Sequence, residues 1–104
     1  MVVYLQISTL FLVPPLMVFL GKHPSVDKYD LSHLKTIICG AAPLDKDTQE
    51  AVSTRLGVKD IRQAYGMTET TILATSCPDG VPLKMGSSGK VTKGMSAKVC
   101  KTLQ

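Results

Sequence analysis

Charge is missing from the first twenty residues, and so are the features that would turn that stretch into a leader or a membrane span. No basic segment precedes the apolar run, as a secretory leader requires. Pro14-Pro15 sits at its centre, where a spanning helix would lose hydrogen bonds and break. Gln6, Ser8 and Thr9 dilute it further. Cysteine is scarce as well. Cys39, Cys77 and Cys100 are an odd number at wide spacing with no CxxC, which argues against a disulfide framework and a zinc site and for reduced, intracellular thiols. The formal charge of +4 comes from scattered side chains, no two Lys or Arg being adjacent. With only three Tyr and two Phe for stacking, a nucleic-acid surface is a weak reading. His23 and His33 have no Cys or paired carboxylate at ligand spacing and read as solvated loop residues. There is no GxxxxGK[ST] or GxGxxG, so Gly86-Ser87-Ser88-Gly89 does not read as a phosphate-cradling loop. Internal repeats and low-complexity tracts are also lacking.

What is present fits one domain at most. A chain of 104 residues, 44% of them apolar, buries roughly two-thirds of its unfolded surface. Leu10 to Val13 reads as a buried strand. Pro14-Pro15 then turns into a helix with Leu16 to Leu20 as its apolar body, ended by Gly21. Lys22 to Leu34 is polar and marked by Pro24, Asp27, Asp30 and Ser32, a connection over the surface. Thr36 to Cys39 is a second buried strand, stopped by Gly40-Ala41-Ala42-Pro43. These small residues either leave room for a flat ligand or let a helix pack closely on the sheet. Leu44 to Leu56 follows as a helix, with Asp45 or Asp47 as its cap and Gly57 at the left-handed end. Leu44, Ala51, Val52 and Leu56 form its core face, and Lys46, Asp47, Gln49, Glu50 and Arg55 its wet side. Val58 to Tyr65 returns as a strand. Strand, helix, strand is a βαβ unit with a parallel pair, and ligands of such sheets sit at strand carboxyl ends. Further on, Ile72 to Thr75 is apolar and β-prone, Pro78-Asp79-Gly80 makes a turn, and Lys90-Val91 and Ala97-Lys98-Val99 alternate like an exposed strand.

The chain is organised around Arg62-Gln63-Ala64-Tyr65-Gly66-Met67-Thr68-Glu69-Thr70-Thr71. Tyr65 offers a flat ring for a base, and Gly66 lets the main chain approach a ligand. The Thr68 hydroxyl can donate to a phosphate oxygen, and the Glu69 carboxylate is the hard ligand that Mg²⁺ accepts beside nucleotide phosphates. The plain alternative is a polar turn after a strand. The Gly40–Pro43 turn and Tyr65–Glu69 both fall at strand carboxyl ends, and that agreement favours a nucleotide platform.

The same residues resemble the adenylate-forming superfamily of acyl-CoA synthetases, coumarate-CoA ligases and beetle luciferases. Gly40-Ala41-Ala42-Pro43-Leu44 is similar to the family's adenine turn, Gln63-Ala64-Tyr65-Gly66-Met67-Thr68-Glu69 to its signature motif, and Gly86-Ser87-Ser88-Gly89-Lys90 to the Gly-rich connection after it. Val26-Asp27-Lys28-Tyr29-Asp30-Leu31-Ser32 looks like the luciferase-like branch. The resemblance implies a layered α/β fold, parallel strands joined by a βαβ crossover and a β-rich end. It implies contact of Gly40, Ala41, Ala42, Pro43, Gln63, Ala64, Tyr65, Gly66, Met67 and Thr68 with ATP or AMP. Catalytic roles fall to Thr68 at the α-phosphate and Glu69 at Mg²⁺. Gly40, Gly66, Ile72 and Leu73 would border a small carboxylic acid, which is adenylated and then passed to CoA. Where Ile72 stands, luciferases usually carry serine, so the resemblance points to an aliphatic acid, with luciferase-like chemistry as the alternative. It further implies an intracellular protein, cytoplasmic or peroxisomal.

The family's phosphate loop would precede Met1, and its ribose-binding acid and lysine-bearing C-terminal domain would follow Gln104. Residues 1–104 are therefore expected to be a middle slice of the N-terminal domain, associating through uncovered strand edges and inactive alone, or an interaction piece.

Overall fold

The computed structural model describes residues 6–101, so the first five residues of the uncharged start lie outside the described part. Three short parallel strands make the principal sheet: β1 (Thr9–Leu12), β2 (Thr36–Cys39) and β3 (Asp60–Gln63), in spatial order β1-β2-β3. Thr9 pairs with Thr36 and Thr36 with Asp60, while at the other end Leu12 pairs with Cys39 and Cys39 with Gln63. The three carboxyl ends therefore finish level. Helix α1 (Pro14–Lys22) joins β1 to β2, and α2 (Lys46–Leu56) joins β2 to β3. The expected βαβ unit is present, and a second one shares its middle strand. A smaller antiparallel pair, β4 (Thr75–Ser76) and β5 (Lys90–Val91), forms the β-rich end.

Local chemistry accounts for the helix limits. Pro14 and Pro15 occupy the first helical positions of α1, where a missing N–H costs nothing and φ is already suitable. Gly21 does not end this helix. A Cβ at Gly21 would lie 3.4 Å from Val52 Cγ2 and 3.7 Å from Ala51 Cβ, so its small size lets α1 lie close on α2, and the helix runs on to Lys22. The polar connection that follows contains a 3₁₀ turn (Pro24–Lys28), opened by the His23 ring, whose Nδ1 accepts from the Ser25 N–H at 3.1 Å. Arg55 of α2 ties this corner down. Its Nη1 donates to the Leu20 carbonyl at 3.2 Å, Nη2 to the His23 carbonyl at 2.7 Å, and Nε to Asp27 at 3.2 Å. Free carbonyls at the end of α1 thereby gain a cation.

Helix α2 begins two residues later than the sequence pattern predicts, because Asp45 is its cap: the carboxylate accepts from the Thr48 N–H at 2.7 Å and from the Thr48 hydroxyl at 2.9 Å. Gly57 closes the helix with φ 68°. The inward face also differs. Ala51 is exposed, whereas Thr48, Gln49 and Val52 are buried, so Gln49 moves from the expected wet side into the core. Its amide goes in because it finds a partner there, the Ile61 carbonyl at 3.1 Å. Met17, Leu34, Ile37, Cys39, Leu44, Val52, Val58 and Ile61 form the core between helices and sheet, with Leu10, Leu12, Leu20 and Leu56 packed around them. The opposite face of the sheet carries Thr9, Phe11, Thr36, Ile38, Asp60 and Arg62, none of them fully buried. Two expected strands are not formed as read: of Ile72–Thr75 only Thr75 lies in a strand, and Ala97–Val99 has no strand partner among the described residues.

On that open face Arg62 grips Asp60 through two 2.7 Å bonds and reaches the Cys77 carbonyl at 3.4 Å and the Asp79 carboxylate. Thr36 also donates to Asp60 at 2.9 Å. The Arg62 guanidinium, aided by Thr36, holds the Asp60 carboxyl below its ordinary value of 3.8. A lowered acid pKa contributes stability that is full above pH 3.8 and is lost as pH falls through the folded value. Asp60→Asn should therefore be less stable than the wild type at neutral pH. It should also lose stability less steeply below pH 3.8, which urea unfolding at a series of pH values measures.

Candidate functional site

The level strand ends create a place where three short segments meet. Val13 follows β1, Gly40 and Ala41 follow β2, and Ala64 and Tyr65 follow β3. Two backbone bonds hold them in step, Gly40 N–H to Leu12 O at 3.1 Å and Ala64 N–H to Cys39 O at 2.9 Å. Above them opens a cleft of about 910 Å³, lined by Gly40, Ala41, Ala64, Tyr65, Gly66, Met67, Thr68, Ile72 and Leu73 together with Phe11, Leu12, Val13, Leu16, Ile38 and Thr71. Its position is the one that α/β sheets favour for ligands.

Most of the residues singled out from sequence are brought together here. The Tyr65 ring is 52% exposed toward the opening, and Gly40 and Ala41 make a floor almost without side chains. Ala41 holds φ 72°, a conformation in which a larger side chain would be costly. Thr68 is on the rim, and Glu69 follows it in a short 3₁₀ turn (Thr68–Thr70), both exposed and without a side-chain partner among the described residues. Ala42 and Pro43 complete the turn after Gly40 but do not line the cleft. Gln63 does not face it either; its side chain turns into the core. From sequence, Phe11, Val13 and Leu16 are simply parts of a buried strand and a helix. Yet Phe11 is 76% exposed and forms a wall of the cleft. The available signal was alternation: with Leu10 and Leu12 facing the helices, Phe11 must face the other way.

The loop from Tyr65 to Thr75 is fastened at both ends. Tyr65 N–H donates to Thr75 O at 3.2 Å, and the Ala74 and Thr75 N–H groups return to Tyr65 O at 2.8 and 2.9 Å. Inside it, the Met67 carbonyl accepts from Thr70 and Ile72 at 3.0 and 3.1 Å, and the Thr70 hydroxyl bonds the Met67 N–H at 3.0 Å. This winding places Thr71 at φ 53° and Ile72 at φ 80°, an unusual conformation for β-branched residues. Ile72 consequently stands 80% exposed at the cleft and does not point into the core as an alternating strand residue could. The tight winding also gives Gly66 a second reason to be glycine. A Cβ there would overlap the Ile72 carbonyl and the Leu73 backbone.

No three His, Cys, Asp or Glu side chains gather into a metal cage among the described residues. A lone exposed carboxylate such as Glu69 is still enough for Mg²⁺ when phosphates and water supply the remaining ligands, so the donor set fits that ion. Cys39 is no candidate nucleophile, since burial pushes its thiol up. No described helix is long and apolar enough to cross a membrane.

Fold and cleft together define a parallel α/β unit with a small-residue, aromatic-sided ligand cleft at its strand ends. The chain belongs to the AMP-binding enzyme family, which it matches over residues 1–103. It is 46% identical over 94 residues to the luciferin 4-monooxygenase of Photinus pyralis, covering 90% of this chain and 17% of that protein. It is 39% identical over 95 residues to the probable 4-coumarate–CoA ligase 3 of Dictyostelium discoideum, with the same 90% and 17% coverage. Among solved structures, the ATP-bound RpMatB-BxBclM chimera B3 is similar with a TM-score of 0.75 and 30% identity, over 89% of this chain and 18% of that one. The chain thus spans about a sixth of the length of the curated relatives it matches, 17% in each case.

The two glycines separate packing from ligand contact. At Gly40 a Cβ would sit 3.5 Å from the Ala64 carbonyl, an ordinary contact, so Gly40→Ala should change stability by less than ~1 kcal/mol. Gly66→Ala must move the Ile72 backbone and should cost ~1–3 kcal/mol. Urea denaturation of both variants measures the difference, and equal stability of the two would contradict the described loop.

Proposed function

We propose that this chain contributes the adenine and acid-binding part of an adenylate-forming site, as a middle portion of the nucleotide-binding domain of a longer acid-activating enzyme. The observation that carries the reading is the cleft itself: an open Tyr65 ring faces a floor of Gly40 and Ala41, with Thr68 on the rim. Neither Gly40 nor Ala41 projects a side chain large enough to fill the space beside Tyr65, which leaves room for a flat base. The ATP-bound chimera supports a nucleotide as the ligand.

In this reading the Thr68 hydroxyl donates to the α-phosphate, and Glu69 holds Mg²⁺, which neutralises phosphate charge when bound. A carboxylate oxygen of the acid attacks the α-phosphorus, the bond to the bridging oxygen breaks, and pyrophosphate leaves. The thiol of CoA then attacks the acyl carbonyl carbon, the bond from that carbon to the phosphate oxygen breaks, and AMP leaves with the thiol proton passing to solvent. What these residues supply is positioning and charge stabilisation, which is most of what such a transfer needs.

The acid would occupy the apolar end of the cleft, between Phe11 and Leu16 on one side and Ile72 and Leu73 on the other. A branched aliphatic at position 72 leaves a buried polar group unpaired, so we assign an aliphatic, fatty acid substrate. A luciferase-like monooxygenase is the second reading, favoured by the 46% identity to the Photinus pyralis enzyme against 39% to the coumarate ligase.

Isothermal titration of the chain with AMP tests the first part. Saturable binding is expected, weakened in Tyr65→Ala by roughly tenfold or more, as loss of one base–aromatic stack costs ~1–3 kcal/mol. Glu69→Gln should leave AMP affinity unchanged and remove the enhancement of ATP affinity by Mg²⁺. Identical AMP affinity in wild type and Tyr65→Ala would remove the adenine assignment. For the acid, displacement of a fluorescent fatty acid should rank long aliphatic acids above a coumarate-like acid and luciferin. Ile72→Ser should narrow that gap by about tenfold, and aryl acids winning in the wild type would favour the luciferase-like reading.

A further inference from the structure

Gln63 belongs to the motif that reads as nucleotide-binding, yet its side chain is 8% exposed and points into the core. There it forms a paired contact with a single residue. Oε1 accepts from the Leu44 N–H at 3.3 Å, and Nε2 donates to the Leu44 carbonyl at 3.2 Å. The second Nε2 proton reaches Gln49 Oε1 at 3.4 Å, and Gln49 in turn donates to the Ile61 carbonyl at 3.1 Å. The primary amide thus mimics one rung of a sheet, made by a side chain to a backbone that has already left the sheet.

Leu44 is the residue at which the Gly40–Pro43 turn ends. The first end of that turn is held by the sheet, through the Gly40 N–H on Leu12 O at 3.1 Å. Between the two ends, Ala41, Ala42 and Pro43 are exposed and make no backbone hydrogen bond among the described residues, while Ala41 sits at φ 72°. The Leu44 side chain is buried and sets how deep the turn's far end lies. Among the described residues the Gln63 amide is the side chain that bonds both the N–H and the carbonyl of Leu44, and so restrains the peptide planes on either side of it. Those planes fix where the small-residue floor of the cleft stands relative to Tyr65, two residues beyond Gln63 on the same strand exit.

We propose that Gln63 is a positioning residue for the cleft: its amide clamps Leu44 and so fixes the Gly40–Pro43 floor at a set distance from the Tyr65 ring. The function of this clamp rests on the nucleotide reading above, whereas its effect on the turn does not. Because Gln63 and Gln49 share one network, Gln49→Met is the informative control. It removes the bond to the Ile61 carbonyl and the acceptor of the second Gln63 Nε2 proton, and leaves both Gln63–Leu44 bonds in place.

The test uses the full chain in three forms, wild type, Gln63→Met and Gln49→Met, with two readouts: backbone amide order parameters from NMR relaxation at Ala41, Ala42 and Leu44, and AMP affinity by titration. Both variants should melt earlier than the wild type. Only Gln63→Met should lower the order parameters of those three amides and weaken AMP by about tenfold or more, because the Leu44 peptide groups lose their partner. Should Gln63→Met not fold, Gln63→Glu, which keeps an acceptor for the Leu44 N–H and loses the donor to its carbonyl, replaces it with the same expectation. Unchanged order parameters at the turn in a folded Gln63 variant, or an equal decrease in Gln49→Met, overturns the proposal. Absence of AMP binding in the wild type would instead count against the nucleotide reading, and the order parameters would still decide the clamp.

Discussion

The structure depends first on the parallel pairing of β2 with a neighbour on each edge. Parallel strands cannot be joined by a tight hairpin, so each connection must cross over the sheet, and both crossovers here are helices. The level register places Leu12, Cys39 and Gln63 side by side and makes three chain exits converge. Had β2 or β3 been shifted by one residue, its inward pair, Ile37 and Cys39 or Ile61 and Gln63, would have faced away from the helices and the core would be lost.

The pairing also explains the division of labour between the two faces. Helices cover one face, where the aliphatic core and the Gln49–Gln63 network lie. The other face mixes Phe11 and Ile38 with Thr36, Asp60 and Arg62. Parallel sheets in α/β proteins are normally covered on both faces, whereas here the second face is open among the described residues. On β3, at the edge of the sheet, Arg62 compensates its own burial through a bidentate carboxylate and a backbone carbonyl. In doing so it ties β3 to the segment that leaves β4.

Among the described non-glycine residues, positive φ falls at the cleft, with exposed Gln6 the exception, and nowhere in the core. Ala41, Thr71 and Ile72 all hold positive φ, and each lines the opening. Such backbones persist only where surrounding bonds over-determine them. The Tyr65–Thr75 bridge and the bonds to the Met67 carbonyl do this for the second loop, and the ladder and the Gln63 amide do it for the first. The luciferin 4-monooxygenase and coumarate ligase relatives show that this family unit is compatible with more than one overall chemistry. In the proposed function, substrate choice would rest on the walls, where Phe11, Leu16, Ile72 and Leu73 differ in kind from the backbone-built floor.

Local signals were sufficient for the alternation of strands and helices, for the proline start of α1, for the αL glycine after α2, and for the meeting of the Gly40 turn and Tyr65 at two strand ends. Each of these is written within a few residues, in periodicity, caps and turn chemistry. The family membership was legible for the same reason, because a signature of seven contiguous residues, Gln63 to Glu69, is a local feature. Tertiary structure alone decided the inward turn of Gln49 and Gln63, the choice of Asp45 over Asp47 as cap, the persistence of α1 through Gly21, the exposure of Phe11 and Ile72, and the packing reason for Gly66. Three of these five outcomes depend on a partner or a face that local sequence does not name: Gln63 meets Leu44 across a separation of 19 residues, Gly21 rests on Val52, and Phe11 lines its wall only because β2 lies beside it. A glutamine in isolation reads as a surface residue, and it becomes a core residue only when the fold brings it a carbonyl and an N–H that no water can reach.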